Sequence, residues 1–176
     1  MMLNILIKLQ YGLIPFAEQE QFLGIKNRPI PMAAQDINLH LRLCITSSIQ
    51  FKVENMIVNI LARVGQVDTQ RRYSKNVQLL LNKTNLPEQK EKEATLMILQ
   101  HIRNSLHSNG IHNNKDFEAT VEDYTFTFRK GQQVDCAGWG QIILACASIF
   151  DVLKEIVLSA PIKKIGEPIP TMYIEP

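Results

Sequence analysis

The chain predicts a mainly α-helical bundle with one β-hairpin inserted near residues 118–136. Three observations carry that expectation. Apolar residues recur at steps of three and four along several long stretches, which is the period of a helix with one buried side. One short stretch instead alternates aromatic and threonine residues, the period of a strand. Proline, glycine and asparagine fall between these stretches, where regular structure must stop.

From the start, residues 1–35 read as an N-terminal arm and linker. The opening MMLNILIKLQYGLIPF is apolar, but Lys8 and Gln10 interrupt it and no small-residue cleavage site follows, so it reads as structure rather than a signal peptide. Pro29 and Pro31 then break regular structure, because proline removes a backbone donor and restrains the residue before it. From Asp36 to Ile45 the apolar residues alternate, as a strand or as a buried extension of the next helix. That helix is expected from about Ser47 to Val64, with Ile49, Val53, Met56, Ile57, Ile60 and Leu61 on one side and Gly65 ending it. A shorter helix follows from Asp68, a good N-cap, through Val77, Leu80 and Leu81, until Asn85 and Pro87 mark a new start.

The third helix opens near Pro87 with Glu88, Glu91 and Glu93, where negative charge suits the positive end of a helix. It carries Ala94, Ile98, Leu99, Ile102 and Leu106 inward and stops at Asn109 and Gly110. Beyond a polar loop, Tyr124, Phe126 and Phe128 alternate with Thr125 and Thr127. Lys130 and Gly131 offer a turn, and Gln132 to Cys136 a returning strand. A last helix spans Trp139 to Val157, with one broad apolar stripe that includes Ile143 and Phe150, and Pro161 ends it. Residues 161–176 read as an extended tail that packs on the surface or on a partner. The helical domain is thus 36–160.

The totals bound the function. The 176 residues, 45% of them hydrophobic, suit one core. A net charge of +2 from 19 basic and 17 acidic side chains creates no global field that would draw the protein to nucleic acid or an anionic membrane, so any attraction for RNA is local. Cys44, Cys136 and Cys146 are an odd count without a CxxC pair, which points to a reducing, cytoplasmic setting rather than a disulfide framework. No run of residues reaches the length of a membrane span.

The segment RNSLHSNGIH, Arg103 to His112, concentrates the chemistry. Residues four apart on a helix sit one above the other, so Arg103 and His107 share the flank of the apolar stripe. A guanidinium fits phosphate oxygens and an imidazole passes protons near neutral pH. The pair suits phosphodiester cleavage. Asn104, Ser105 and Asn109 add hydrogen bonds for a ribose or phosphate, and His112, just past the helix stop, offers a second acid or base.

Arg103, Asn104, His107, Asn109 and Gly110, in that order at the end of one helix, resemble the RNase motif of the HEPN superfamily (higher eukaryotes and prokaryotes nucleotide-binding domains), and among its members the plasmid-type prokaryotic ones. The likeness covers roughly residues 47–160. It implies a helical bundle, a homodimer with the motif helices facing each other, and RNA cleavage without metal or cofactor in a defence or toxin–antitoxin system, with an antitoxin as partner. The spacing departs from the family's: His107 lies closer to Arg103 than is usual and His112 farther.

Each feature has a plainer reading. An arginine and a histidine at a helix end more often complement its dipole, and Asn109 with Gly110 is simply a helix stop. His40 and His101 read as structural, and His101, His107 and His112 match no common zinc spacing. Tyr124, Phe126 and Phe128 more often form the buried face of a hairpin than a platform for bases. Arg71, Arg72, Lys75 and Lys83 are either a phosphate-attracting face or the wet side of a helix, and Cys136 and Cys146 are small core side chains. The class opposed to an endoribonuclease is a non-catalytic helical module that binds nucleotide, RNA or protein through the same face; a third is a purely structural protein that assembles through its hairpin and tail.

Overall fold

The computed structural model describes residues 30–65 and 72–164. It is mainly helical with one antiparallel hairpin: α1 (Ile30–Arg63), α2 (Tyr73–Thr84), α3 (Gln89–His107), β1 (Phe117–Val121), β2 (Tyr124–Phe128), α4 (Trp139–Leu158) and a single turn, α5 (Ala160–Lys163). The chain divides into two compact units, Met1–Ile45 and Thr46–Pro176. In the first, the His40 ring donates from Nδ1 to the Asp36 carbonyl one turn back, at 2.7 Å. The second holds the rest of α1, α2 to α5 and the hairpin.

α3 is its centre. It packs against α2, α4 and β1, and Leu96, Ile98, Leu99 and Ile102 are wholly buried. Around them lie Ile57, Ile60 and Leu61 of α1, Val77 and Leu80 of α2, Phe126 and Phe128 of β2, and Ile142, Ile149 and Ile156 of α4. Every one of these positions follows the spacing of its element, so the core is what the periodicity requires. Polar groups inside it are tied down. The Tyr73 hydroxyl donates to the Leu96 carbonyl at 2.8 Å, and burial pushes the group well above its ordinary pKa of 10. Lys92, nearly buried on α3, is 3.2 Å from Glu155 on α4 and 3.6 Å from Glu88, which pins the two helices together.

Several sequence expectations need correcting. Helix replaces linker from Ile30 onward: Pro31 stands in the first turn, where an N–H would have no intrahelical partner and its loss costs nothing. The stretch with alternating apolar residues from Asp36 to Ile45 is therefore helix, not strand. Asp68 lies outside the described residues, and α2 begins at Tyr73 after Arg72. Pro161 sits inside α5 near its start, so the chain does not simply extend from there; the rest of the expected tail, 165–176, lies outside the described residues. α4 is apolar over a wider arc than the core covers, and Ile143 and Phe150 face outward.

The hairpin pairs differently from the expectation. The partner of the aromatic strand precedes it, with Phe117 opposite Phe128 and Val121 opposite Tyr124. The two-residue turn runs through Glu122, whose φ of 52° is the left-handed conformation a tight hairpin demands. Gln132 to Val134, expected to return along Tyr124–Phe128, instead pairs with Gly110–His112: the His112 N–H donates to the Gln132 carbonyl at 3.0 Å and the Val134 N–H to the Gly110 carbonyl at 2.8 Å. The loop after α3 is thereby stitched to the segment that leads into α4.

Candidate functional site

The last two turns of α3 have two sides, and the sequence-predicted residues divide between them. Arg103 and Asn104 are half-buried and His107 is exposed. Arg103 carries no ion pair among the described residues, and its Nε is buried without a hydrogen-bond partner. With Nε closed off from solvent, only the Nη groups of this guanidinium can meet something outside the chain. One turn on, His107 stands in solvent at the helix end. The shared flank expected of this pair is what α3 provides, since the helix is unbroken from Gln89 to His107.

Ser105 and His112 belong to the other side and do not join them. His112 is wholly buried. Its Nε2 lies 2.9 Å from the Lys115 carbonyl, which can only accept, so Nε2 carries a proton. Its Nδ1 lies 3.4 Å from the Ser105 hydroxyl, whose single proton is directed to the His101 carbonyl at 2.8 Å. Nε2 is engaged and Nδ1 faces a protein hydroxyl, and the ring is buried from solvent. The second acid or base expected from His112 is thus sequestered, and Ser105, also fully buried, closes a helical carbonyl instead of meeting a substrate.

His101 completes this inner cluster. Its ring stacks on Phe117 at 4.0 Å and 6° and lies 5.3 Å from His112 and 5.4 Å from Phe128. Burial, with the nearby His112, drives its pKa down to about 4, so the ring is neutral in the folded protein at neutral pH. It behaves as an aromatic plate that docks the hairpin on α3. Phe126 and Phe128 point inward as the buried face of the hairpin and Tyr124 is half-buried. Cys136 donates to the Thr127 carbonyl at 3.6 Å and burial pushes its thiol up to about 11, as befits a core side chain.

The helix stop explains Asn109. Its φ is 53° and that of Gly110 is 85°, and the Gly110 N–H returns to the Ser105 carbonyl at 2.8 Å, the closing bond of a Schellman motif. The Asn109 side chain is exposed, beyond the turn that holds His107. Among the described residues no group of three His, Cys, Asp or Glu could hold a metal ion, and no helix is long and apolar enough to cross a membrane.

Grooves among the described residues of this unit lie elsewhere, and three of them have no lining from Arg103, Asn104 or His107. Two adjoin between α1 and α4, about 240 and 330 Å³, sharing Met56, Phe150 and Leu153 as walls. The third, about 500 Å³, has Arg63, Lys83 and Lys164 along it. Sequence reasoning had named Lys83, but only with its neighbours on α2. Arg63 and Lys164 join it through tertiary packing that no local spacing encodes. Family models, curated proteins and solved structures return no match to this chain.

Proposed function

We propose that the outer side of α3 is an RNA-cleaving site of HEPN type that works without metal, with Arg103 and His107 as its reacting groups. The observation that carries the reading is the pairing of a half-buried guanidinium that has no ion pair among the described residues with an exposed imidazole one turn along the same helix. Arg103 holds the phosphate and stabilises the charge that develops on it. His107 removes the proton from a ribose 2′-hydroxyl; that oxygen attacks the adjacent phosphorus and the bond from phosphorus to the 5′-oxygen breaks. A 2′,3′-cyclic phosphate remains on one fragment and a 5′-hydroxyl on the other.

The departing 5′-oxygen needs a proton. His112 is buried, so this protomer has no second histidine to supply it, and the donor that fits is His107 of a second copy. Catalysis on this reading belongs to a homodimer with the two α3 helices facing each other. Asn104, half-buried between the two residues in sequence, orients the phosphate or ribose. An antitoxin partner follows from the family likeness alone, and a cytoplasmic setting from the odd cysteine count without a CxxC pair.

The sequestering of His112 and Ser105 favours a second reading, in which the same face binds nucleotide or RNA without cutting it: one exposed imidazole per chain is enough for recognition. A cleavage assay with mixed RNA in the presence of chelator separates the two. Wild type should give cyclic-phosphate ends, and Arg103→Ala or His107→Ala should each slow cleavage by about a hundredfold or more, the latter with little change in stability because His107 is exposed. RNA decay equal in all three proteins would remove the enzyme reading. Binding that persists without any cleavage would establish the other.

A further inference from the structure

The trough between α1 and α4 shares no lining residue with the outer side of α3 and has a chemistry of its own. Two adjoining grooves of about 240 and 330 Å³ form it, with Ile49, Val53 and Met56 of α1 on one wall and Phe150, Leu153 and Val157 of α4 on the other. Phe150 is 55% exposed, and Ile143 and Leu158, on the same outward arc of α4, are 65% and 52% exposed. A single apolar residue in water is ordinary, but a run of large ones along one trough marks a place where something docks.

Spacing and charge say what kind of thing. On α4, Ile143, Cys146, Phe150, Leu153 and Val157 step by three and four, and on α1 so do Ile49, Lys52 and Met56. That step is the seam along which one helix packs on another at a shallow angle. Leu153 is spent in the core, whereas Phe150 and Ile143 stand clear of it. Two such rows beside one trough make the seat of a third helix, and Ile143 to Val157 runs for about 21 Å, roughly four helical turns. The charged residues lining the trough are Lys52 and Lys154, with no carboxylate beside them. Neither lysine has an ion pair among the described residues. Asp151 and Glu155 lie about 100° round α4 from Phe150 and Lys154, on the side turned from α1, and Glu155 is taken by Lys92. A second copy of the chain would therefore bring lysines against lysines. An acyl chain would have no use for the three-four spacing.

We infer that this trough seats an amphipathic helix of another protein, one with acidic residues on the flanks of its apolar stripe. Its apolar side chains, at steps of three and four, meet Phe150, Ile143 and Met56. Its carboxylates meet Lys52 and Lys154. The buried anchors supply the affinity, and the two lysines select the partner and fix which way it lies. The inference goes beyond the cleavage reading and does not depend on it: a helix can be held here whether or not α3 cuts RNA.

The test uses the whole chain, without RNA, and two fluorescein-labelled synthetic helices of about four turns, followed by anisotropy. Both carry leucine at the three-four positions; one has glutamate on its flanks and the other lysine. Wild type should bind the glutamate peptide with a Kd of roughly 10 μM or tighter, and the lysine peptide at least about tenfold more weakly. Phe150→Ser should weaken binding of the glutamate peptide by about tenfold or more at an unchanged urea midpoint, since the side chain is more exposed than buried. Lys52→Glu with Lys154→Glu should reverse the preference in favour of the lysine peptide, a gain that lost folding cannot produce. Lys115→Glu with Lys130→Glu, on exposed positions near the hairpin, should leave both affinities close to wild type. Absence of wild-type binding at about 100 μM protein, or a reversal equally strong in the hairpin control, would overturn the inference. Equal affinity of wild type for the two peptides would also overturn it, by marking a general apolar surface. So would a dimer in solution that Phe150→Ser dissociates, which would give the trough to a second copy. His107→Ala should abolish cleavage and keep peptide binding, so failure of the α3 reading and failure of the trough are distinguishable.

Discussion

The two sides of the last turns of α3 carry the same kinds of residue and put them to opposite uses. On the outer side, His107 is exposed and Arg103 keeps an unpartnered Nε. On the inner side, His112 is wholly buried with both nitrogens facing protein atoms, and His101 lies flat on Phe117. Three histidines within twelve residues thus divide into one group free to react and two that build the hairpin's seat. Residue type does not assign these roles. For His101 and His107 they follow from which arc of the helix each falls on, and for His112, past the helix end, from what its loop packs against.

If the inner side is a structural seat, removing its main aromatic must cost stability. Phe128 is fully buried and touches both His101 and His112. Phe128→Ala should destabilise the protein by about 3–5 kcal/mol, read as a lower urea midpoint, a large part of what a domain of this size commonly has. A loss below about 1 kcal/mol would mean that the hairpin is not part of the cooperative core, and the division between the two sides would fail.

His101 sharpens the same comparison through pH. Its folded-state pKa of about 4 lies below the ordinary 6.5, so between these values the unfolded chain takes up a proton that the folded chain refuses. Stability therefore falls as pH drops from about 6.5 toward 4 and levels off below that. The full difference corresponds to roughly 3 kcal/mol; the ring is partly exposed, and solvent screening brings the expected loss to roughly 2 kcal/mol. The groups facing the ring are His112, Phe117 and Phe128, none a carboxylate that would reverse the sign. Urea midpoints at pH 7 and pH 4.5 should differ less in His101→Leu than in wild type. Equal differences in both proteins would show that His101 is not held neutral by its seat.

The sequence made α3 and its two sides legible because periodicity is a local property: Ile98, Leu99, Ile102 and Leu106 define the inner arc, and a four-residue step from Arg103 reaches His107. It misassigned His112 because that residue follows the helix stop. Past Asn109 the direction of a side chain depends on what the loop pairs with, here Gln132 to Val134, more than twenty residues on. The hairpin's register failed for a related reason. Lys130 and Gly131 do form a turn, closed by the Gln132 N–H on the Arg129 carbonyl at 3.1 Å, but the hairpin itself turns at Glu122, because Ala119 and Val121 place a second buried face where Phe126 and Phe128 need one. Ile143 and Phe150 share the apolar stripe of α4 in sequence, but only tertiary packing decides how wide an arc becomes core.

Asn109 is the boundary between the two sides, and the smallest expected effect tests whether it is anything more. Its φ of 53° suits glycine better than any other residue, while glycine also loosens the unfolded chain. The two effects nearly offset, and Asn109→Gly should shift stability by no more than about 0.5 kcal/mol. Asn109→Ala meets the same backbone with a Cβ and no compensating amide, and should cost about 1 kcal/mol. The likeness to HEPN motifs gives the side chain a hand in substrate binding, whereas the geometry gives it a turn to make. RNA cleavage and binding that stay at wild-type level in Asn109→Gly would confine the reacting face to Arg103, Asn104 and His107. A loss of about tenfold or more in a variant that keeps its stability, equivalent to about 1.4 kcal/mol, would extend that face past the end of the helix.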